Sequence, residues 1–191
     1  MVSIKKIAKL ISGTPQFRIT EDGGDTAPTY VFYAQTDLEE DLRGLGSSDS
    51  ARKQIKTFDK VKTAVKGDVV FSLLSGIAAI VRAEHQGYLL TQNYVVLTSS
   101  SEIDARYLVY LLNENRQVRH QLYMGQQGSA TMKYTLSQLN DLKLPPLPPR
   151  AKQELIGDLY FNQLRLEALR KRASESETVL VLGKIRKAEQ S

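Results

Sequence analysis

Two polar segments of this 191-residue chain carry side chains suited to contacting a polyanion, and the first lies in residues 51–67. That stretch contains one acidic residue, Asp59, and six basic residues: Arg52, Lys53, Lys56, Lys60, Lys62 and Lys66. Lysine and arginine bind phosphate oxygens and release the counterions that surround a nucleic acid. We therefore take Lys53, Lys56, Lys60 and Lys62 as candidate phosphate contacts. A solvated surface segment would show the same charge pattern, so that alternative stays open.

The second segment is a loop that starts at Gly125 and is rich in amide and hydroxyl groups. Glutamine can form two hydrogen bonds to adenine in the major groove, and hydroxyl groups can bond to several bases. The candidate base contacts are Gln126, Gln127, Ser129, Thr131 and Lys133. The same composition is typical of an ordinary flexible connector, which remains the alternative.

Residues for catalysis are sparse. The chain has no cysteine, which excludes disulfides and thiol nucleophiles, and two histidines are too few for a multi-histidine metal site. No glycine-rich phosphate loop ends in Gly-Lys-Ser/Thr, and Asp141 with Lys143 is only a fragment of a nuclease-like pattern. We expect His85 and His120 to be surface residues, no metal site, and no active site of the chain's own.

The net charge of +5 and the 41% hydrophobic content are ordinary for a globular protein. No apolar run approaches a membrane span, and the N-terminus lacks a convincing signal peptide. A cytoplasmic protein is therefore expected.

The middle of the chain predicts antiparallel strands followed by helices. Apolar runs at 69–71, 77–81 and 94–97 are separated by turns too short for parallel crossovers. From Asp104, a plausible N-cap, apolar residues recur at 3–4 spacing, which predicts one helix over 104–123. The fold class predicted is α+β.

A proline-rich segment, 144–149, predicts an extended linker, and a long helix starts near Arg150. At 100° per residue, five positions of this helix cluster within roughly 80° and form a heptad seam. The seam consists of Leu155, Leu159, Asn162, Leu166 and Leu169, while Phe161, Leu164 and Ala168 fall on nearly the opposite face. Two opposed stripes indicate two partners, the chain's own domain and another helix, although a fully buried helix is the alternative. We expect a polar break at Ser174–Glu177.

The order of these segments resembles the DNA-specificity subunit of Type I restriction–modification enzymes. The resemblance rests on an N-terminal start at Ile4–Thr14, on Lys66–Phe71 followed by Ser75–Ala78, and on Asn93–Leu97. It continues through Asp104–Leu112, the loop Gly125–Ser129 and Leu136–Leu139, and it ends at the junction Leu144–Ile156, where a proline-rich strand enters a helix. Similarity spans roughly residues 2–172.

The resemblance implies a mixed, largely antiparallel sheet domain for target recognition, followed by a coiled-coil helix. The corresponding divisions are 1–149 for the recognition domain, 150–173 for the spacer and dimerisation helix, and 174–191 for a tail or helix extension. Family members usually hold two recognition domains and two spacer helices. One of each in this chain suggests a half-length form, natural or truncated, that pairs with a second copy of itself.

The resemblance also implies that the chain is a non-catalytic specificity subunit that recognises duplex DNA at a bipartite site. A partner methyltransferase would use S-adenosylmethionine, and a restriction and motor subunit would use ATP and magnesium. The competing interpretation is a coiled-coil adaptor without a nucleic-acid role. The basic segment at 51–67 favours the first interpretation.

Overall fold

The structure, a computed structural model, describes residues 1–24, 26–46, 52–125 and 133–190, and it confirms the predicted α+β class. The strands are β1 (Val2–Ser3), β2 (Ala8–Ser12), β3 (Thr29–Val31), β4 (Gln54–Lys56), β5 (Val69–Ser72), β6 (Ala78–Ile80), β7 (Tyr94–Ser99) and β8 (Lys143–Leu144). The helices are α1 (Ile4–Ile7), α2 (Gln35–Arg43), α3 (Ala105–Glu114), α4 (Arg116–Met124), α5 (Leu136–Asp141) and α6 (Arg150–Glu189).

A four-stranded antiparallel sheet in the order β2–β7–β5–β6 forms the centre of the domain. In its middle, Val70 lies opposite Val96 on one side and Ala79 on the other. All four residues of β5 are buried, which agrees with the apolar run at 69–71, and the fourth residue, Ser72, is a buried polar one. The predicted strands at 69–71, 77–81 and 94–97 and their antiparallel pairing are thus confirmed.

The prediction of one helix over 104–123 is wrong in one respect, because the segment folds as the two helices α3 and α4. Asp104 caps α3 as expected, and its carboxylate accepts from the amides of Arg106 and Tyr107. Asn115 has an extended backbone between the helices, and its side chain accepts from the amides of Gln117 and Val118. A second N-cap residue therefore starts a second helix.

Helix α6 runs for 40 residues, about 60 Å at 1.5 Å per residue, so the expected break at Ser174–Glu177 is wrong. The hydroxyls of Ser176 and Thr178 donate to the carbonyls of Arg172 and Ser174, each at 2.9 Å. Polar side chains that bond one turn back can remain within a helix. Residues 174–189 are accordingly a helix extension. None of the helices in the described ranges is long and apolar enough to cross a lipid bilayer.

The first turns of α6 dock closely on α3. A Cβ atom added at Gly157 would lie 2.6 Å from the Cβ of Arg106 and 3.0 Å from the amide nitrogen of Tyr107. Gln153 is buried; its Oε1 accepts from the Asp104 amide at 2.9 Å, and its Nε2 donates to the carbonyls of Glu102 and Pro148. A glycine contact and a buried amide thus fix α6 against the start of α3.

A buried cluster of charged side chains joins α2 to the turn at residues 83–85, and it corrects the prediction for His85. His85 is only 2% exposed, and its Nδ1 lies 2.8 Å from Asp41 Oδ1. Its Nε2 lies 3.4 Å from carboxylate oxygens of both Asp37 and Glu40. The hydroxyl of Tyr33 donates to the other oxygen of Asp41 at 2.7 Å. His120 is exposed, as expected.

Opposing effects act on the pKa of His85. Burial lowers it, but the hydrogen bond with Asp41 and the negative charges of Asp41, Asp37 and Glu40 outweigh burial and raise the pKa above 6.5. A protonated His85 therefore stabilises the fold below the unfolded-state pKa, and this contribution is lost as pH rises through the folded-state pKa.

We expect Gly157→Ala to lower the free energy of unfolding by up to about 2 kcal/mol. Alanine gains about 1 kcal/mol over glycine in a helix, but forcing a methyl group into a packed contact costs about 1–3 kcal/mol. Chemical denaturation measures the difference. Gly183→Ala in the same helix is the control, because no atom lies within 4 Å of its added Cβ, so it should stabilise or be neutral. Equal effects of the two variants would contradict the close contact.

We expect the melting temperature to fall as pH is raised from about 6 to about 9, in part because His85 loses its proton. His85→Gln cannot carry that proton, so it should show a weaker dependence in this range. His120→Gln, on an exposed position, should keep the wild-type profile. An unchanged pH profile for His85→Gln would show that His85 is not the titrating group.

Candidate nucleic-acid interface

The predicted phosphate contacts run from Lys53, just before β4, to Lys62 in the segment that follows it, and β4 pairs antiparallel with β3. Lys53 and Lys60 are exposed, whereas Lys56 and Lys62 are half-buried. The ammonium group of Lys53 lies 5.2 Å from the centre of the Phe32 ring, in a cation–π contact. All four residues therefore reach the surface of the domain, Lys53 and Lys60 more fully than Lys56 and Lys62.

Arg52, which belongs to the same basic stretch, serves a different purpose. Its guanidinium lies 2.9 Å from Asp37 Oδ1 and 3.4 Å from Glu40 Oε2, and 5.5 Å from the centre of the Tyr88 ring. The side chain is 31% exposed and compensates the buried acidic cluster. Counting charges along the sequence did not separate Arg52 from the neighbouring lysines. The acidic residues at 37–41 were the sequence feature that could have indicated its partner.

Among the residues that the structure describes, a group that could hold a metal ion lies in the same cluster. Carboxylate oxygens of Asp37 and Glu40 and a ring nitrogen of His85 lie within 4.8 Å of one another. The guanidinium of Arg52 already occupies the side of Asp37 where a cation would be attracted. The contacts therefore suit an internal ion-pair network better than a metal site.

The second predicted segment lies mainly outside the described residues. This applies to Gln126, Gln127, Ser129 and Thr131, whereas Lys133 is described and exposed. The residue after it, Tyr134, donates its amide to the Leu73 carbonyl at 2.9 Å. Its ring packs on Gly76, whose φ of +67° and lack of a Cβ permit the contact.

Where β5 ends and β7 starts, an edge of the central sheet links the basic segment to Tyr134 through backbone and side-chain hydrogen bonds. From Tyr134, the bonds continue from the Leu73 amide to the Asn93 carbonyl at 2.8 Å. The adjacent Gln92 amide donates to the Thr14 carbonyl at 3.0 Å, and the Thr14 hydroxyl accepts from the Lys62 amide at 2.7 Å. The end of β5 and the start of β7 thus place Lys62 and Lys133 along a common edge.

The seam of α6 faces away from the domain. Leu155, Leu159, Leu166 and Leu169 are exposed by 59, 61, 42 and 44%, and Asn162 is exposed as well. On the other face, Phe161 and Leu164 pack against the core together with Ile156 and Tyr160. The predicted opposition of two stripes is confirmed, and the first of the two predicted partners is the chain's own domain.

Comparison with known proteins agrees with this geometry. A family model, the Type I restriction modification DNA specificity domain, matches residues 2–174. No curated protein sequence matches the chain.

Three solved structures share the fold at low sequence identity. The HsdS subunit from Thermoanaerobacter tengcongensis aligns with a TM-score of 0.55 at 20% identity, covering 90% of this chain and 39% of that one. A chain from a study of complex assembly and conformational transition in the type I R-M system gives 0.58 at 18% identity, with coverages of 96% and 42%. The S subunit of the type I restriction–modification system of M. genitalium gives 0.51 at 16% identity, with coverages of 95% and 41%.

This chain thus spans about two fifths of each of those three chains. The structural likeness establishes the fold, and the family model covers nearly the whole of the sequence. The chain belongs to the family of Type I restriction modification DNA specificity domains.

Proposed function

We propose that this chain recognises a specific DNA sequence and pairs with a second copy of itself within a Type I restriction–modification complex. The observation that carries the DNA-binding part is the common sheet edge that joins the basic segment to Tyr134, the residue after Lys133. Lysines along such an edge can hold phosphates, while amide and hydroxyl groups from the adjacent loop bond to base edges. Gln126, Gln127, Ser129, Thr131 and Lys133 are the proposed source of base contacts.

The exposed seam supports the self-pairing part of the proposal. Four leucines at heptad spacing are costly to leave in water, and a second seam would bury them in knobs-into-holes packing. Asn162 within the seam would then fix register at a cost in stability. An antiparallel pair with two-fold symmetry places the two recognition domains at opposite ends of the helices, so the DNA site would be an interrupted palindrome.

In this proposal the chain has no catalytic role of its own. The dimer directs a methyltransferase to the site and, through it, a restriction and motor subunit. S-adenosylmethionine, ATP and magnesium would be bound by those partners. The chain's own residues supply duplex binding, base readout and assembly.

We expect Lys53→Gln, Lys56→Gln and Lys60→Gln, combined in one variant, to weaken binding to all duplexes by a similar factor. The slope of log affinity against log salt should shrink by up to about 0.9 for each phosphate that the variant no longer neutralises. A salt titration by fluorescence anisotropy measures both quantities. A control that removes three charges from α6, at Lys152, Lys184 and Arg186, should leave the slope unchanged. Equal changes of slope in the two variants would contradict specific phosphate contacts by the three lysines of the basic segment.

We expect Leu159→Asp together with Leu166→Asp to convert a dimer into a monomer, because buried unpaired carboxylates are strongly unfavourable. Light scattering after gel filtration measures the mass. Selection from a random duplex pool should recover an interrupted palindrome with the wild type and a single half-site with the variant.

Gln163→Asp introduces a carboxylate on a flank of the same helix and should leave both the mass and the selected site unchanged. A double variant that stays dimeric would refute pairing through the seam. A wild type that enriches no duplex would refute the DNA-recognition part of the proposal.

A further inference from the structure

Two of the five phenylalanines lie at the surface of the recognition domain, on segments 14–20 and 57–62. Phe17 is 80% exposed and Phe58 is 64% exposed. The other three, Phe32, Phe71 and Phe161, are buried or packed against the core. The core of the domain therefore does not account for Phe17 and Phe58.

Two hydrogen bonds join segment 14–20 to segment 57–62, and both phenylalanine rings are exposed on these segments. The Thr20 amide donates to Asp59 Oδ2 at 2.7 Å, and the Lys62 amide donates to the Thr14 hydroxyl at 2.7 Å. Phe17 lies between these two hydrogen bonds in the sequence, in a 3-10 turn closed by the Arg18 amide bonding to the Pro15 carbonyl. The two rings are therefore exposed on segments that hydrogen bonds hold together.

The start of segment 14–20 is anchored to the sheet edge that the proposed DNA contacts share. A Cβ at Gly13 would fall 2.2 Å from the Thr91 carbonyl oxygen, so only glycine permits this approach. The next residue, Thr14, donates its amide to the Leu90 carbonyl at 2.8 Å and accepts from the Gln92 amide. Phe17 and Phe58 therefore adjoin the edge that carries Lys62.

Each of the two rings has a cation close to it in the chain. The guanidinium of Arg18 lies 5.6 Å from the centre of the Phe17 ring, and Lys60 is exposed two residues after Phe58. Asp59 between them is engaged with the Thr20 amide. Apolar rings flanked by cations suit a partner that offers flat apolar faces between anionic groups, which is the chemistry of a DNA duplex.

We propose that Phe17 and Phe58 insert against base steps of the bound duplex while Arg18, Lys60 and Lys62 hold the flanking phosphates. This inference rests on the proposed DNA recognition and deepens it. Phenylalanine has no hydrogen-bonding group with which to read a base edge, so its gain comes from contact with a base face that is partly unstacked. The two rings would therefore kink or open the duplex rather than specify a base.

The test uses the full chain and the duplex enriched by the selection above, with 2-aminopurine placed at each position in turn. Wild type should raise 2-aminopurine fluorescence at one or two steps, where the bases unstack. Phe17→Ala and Phe58→Ala should each remove the rise at one step and weaken binding about ten-fold. The salt slope should stay at the wild-type value, because the cations that neutralise the phosphates are all still present.

Controls separate insertion from a general effect on folding. Phe17→Trp keeps a flat ring and should restore both the fluorescence and the affinity. Val65→Ala shortens another exposed apolar side chain, on the turn before β5, and should change neither. The melting temperatures of the alanine variants should match wild type, because both rings are exposed.

The outcomes distinguish the two proposals. A wild type that binds no duplex would overturn the proposed function and this inference together. A wild type that binds, with alanine variants that bind and fluoresce equally, would overturn the inference alone and indicate a protein partner for the two rings. A loss of affinity that disappears when thymine is replaced by uracil would also overturn it, because it would indicate contact with the thymine methyl group.

Discussion

The contact between α6 and α3 determines how the recognition domain is joined to the rest of the molecule. Gly157 lets the backbone of α6 approach the Arg106 side chain of α3 closely. The side-chain amide of Gln153 joins two backbone groups just before α3, at Glu102 and Asp104, to the Pro148 carbonyl just before α6. Asn113 adds the sheet to this contact: its side chain bonds to both backbone groups of Ala78 in β6 and lies 3.2 Å from the Tyr160 hydroxyl of α6. Because α6 is fixed along its first turns, the direction of its seam relative to the central sheet is fixed as well.

The buried charged cluster stabilises the other side of the domain at a cost. Burying the carboxylates of Asp37 and Asp41 requires compensation, which comes from Arg52, His85 and the Tyr33 hydroxyl. Burial and the negative charge of Asp41 raise the pKa of Tyr33, so its hydroxyl keeps the proton that it donates to Asp41. The cluster joins α2 to the turn at residues 83–85 through His85, which lies between three carboxylates of that helix.

Two surfaces are left outside the α6–α3 contact and the buried charged cluster: the seam of α6 and the sheet edge. The seam of α6 is apolar and regularly spaced, which suits another helix of the same pattern. The edge near Thr14, Lys62 and Tyr134 is polar and cationic, with two exposed phenylalanines beside it. Under the proposed function, DNA and a second copy of the chain would therefore bind to separate surfaces.

The sequence by itself determined the features that depend on local spacing. Alternating turns and apolar runs predicted the central strands, Asp104 predicted a helix start, and heptad spacing identified the outward face of α6. Local pattern failed where a side chain's partner is distant in sequence. The prediction that His85 is a surface residue was wrong because nothing near it in the chain reveals Asp41, 44 positions away.

For the same reason Arg52 looked like one more surface cation, although its guanidinium pairs with Asp37 and Glu40 of α2. The exposure of Phe17 and Phe58 was equally invisible, because an apolar residue in sequence suggests the core until its neighbours in space are known. Only the tertiary structure decided these cases, since burial and charge compensation depend on which distant segments the fold brings into contact.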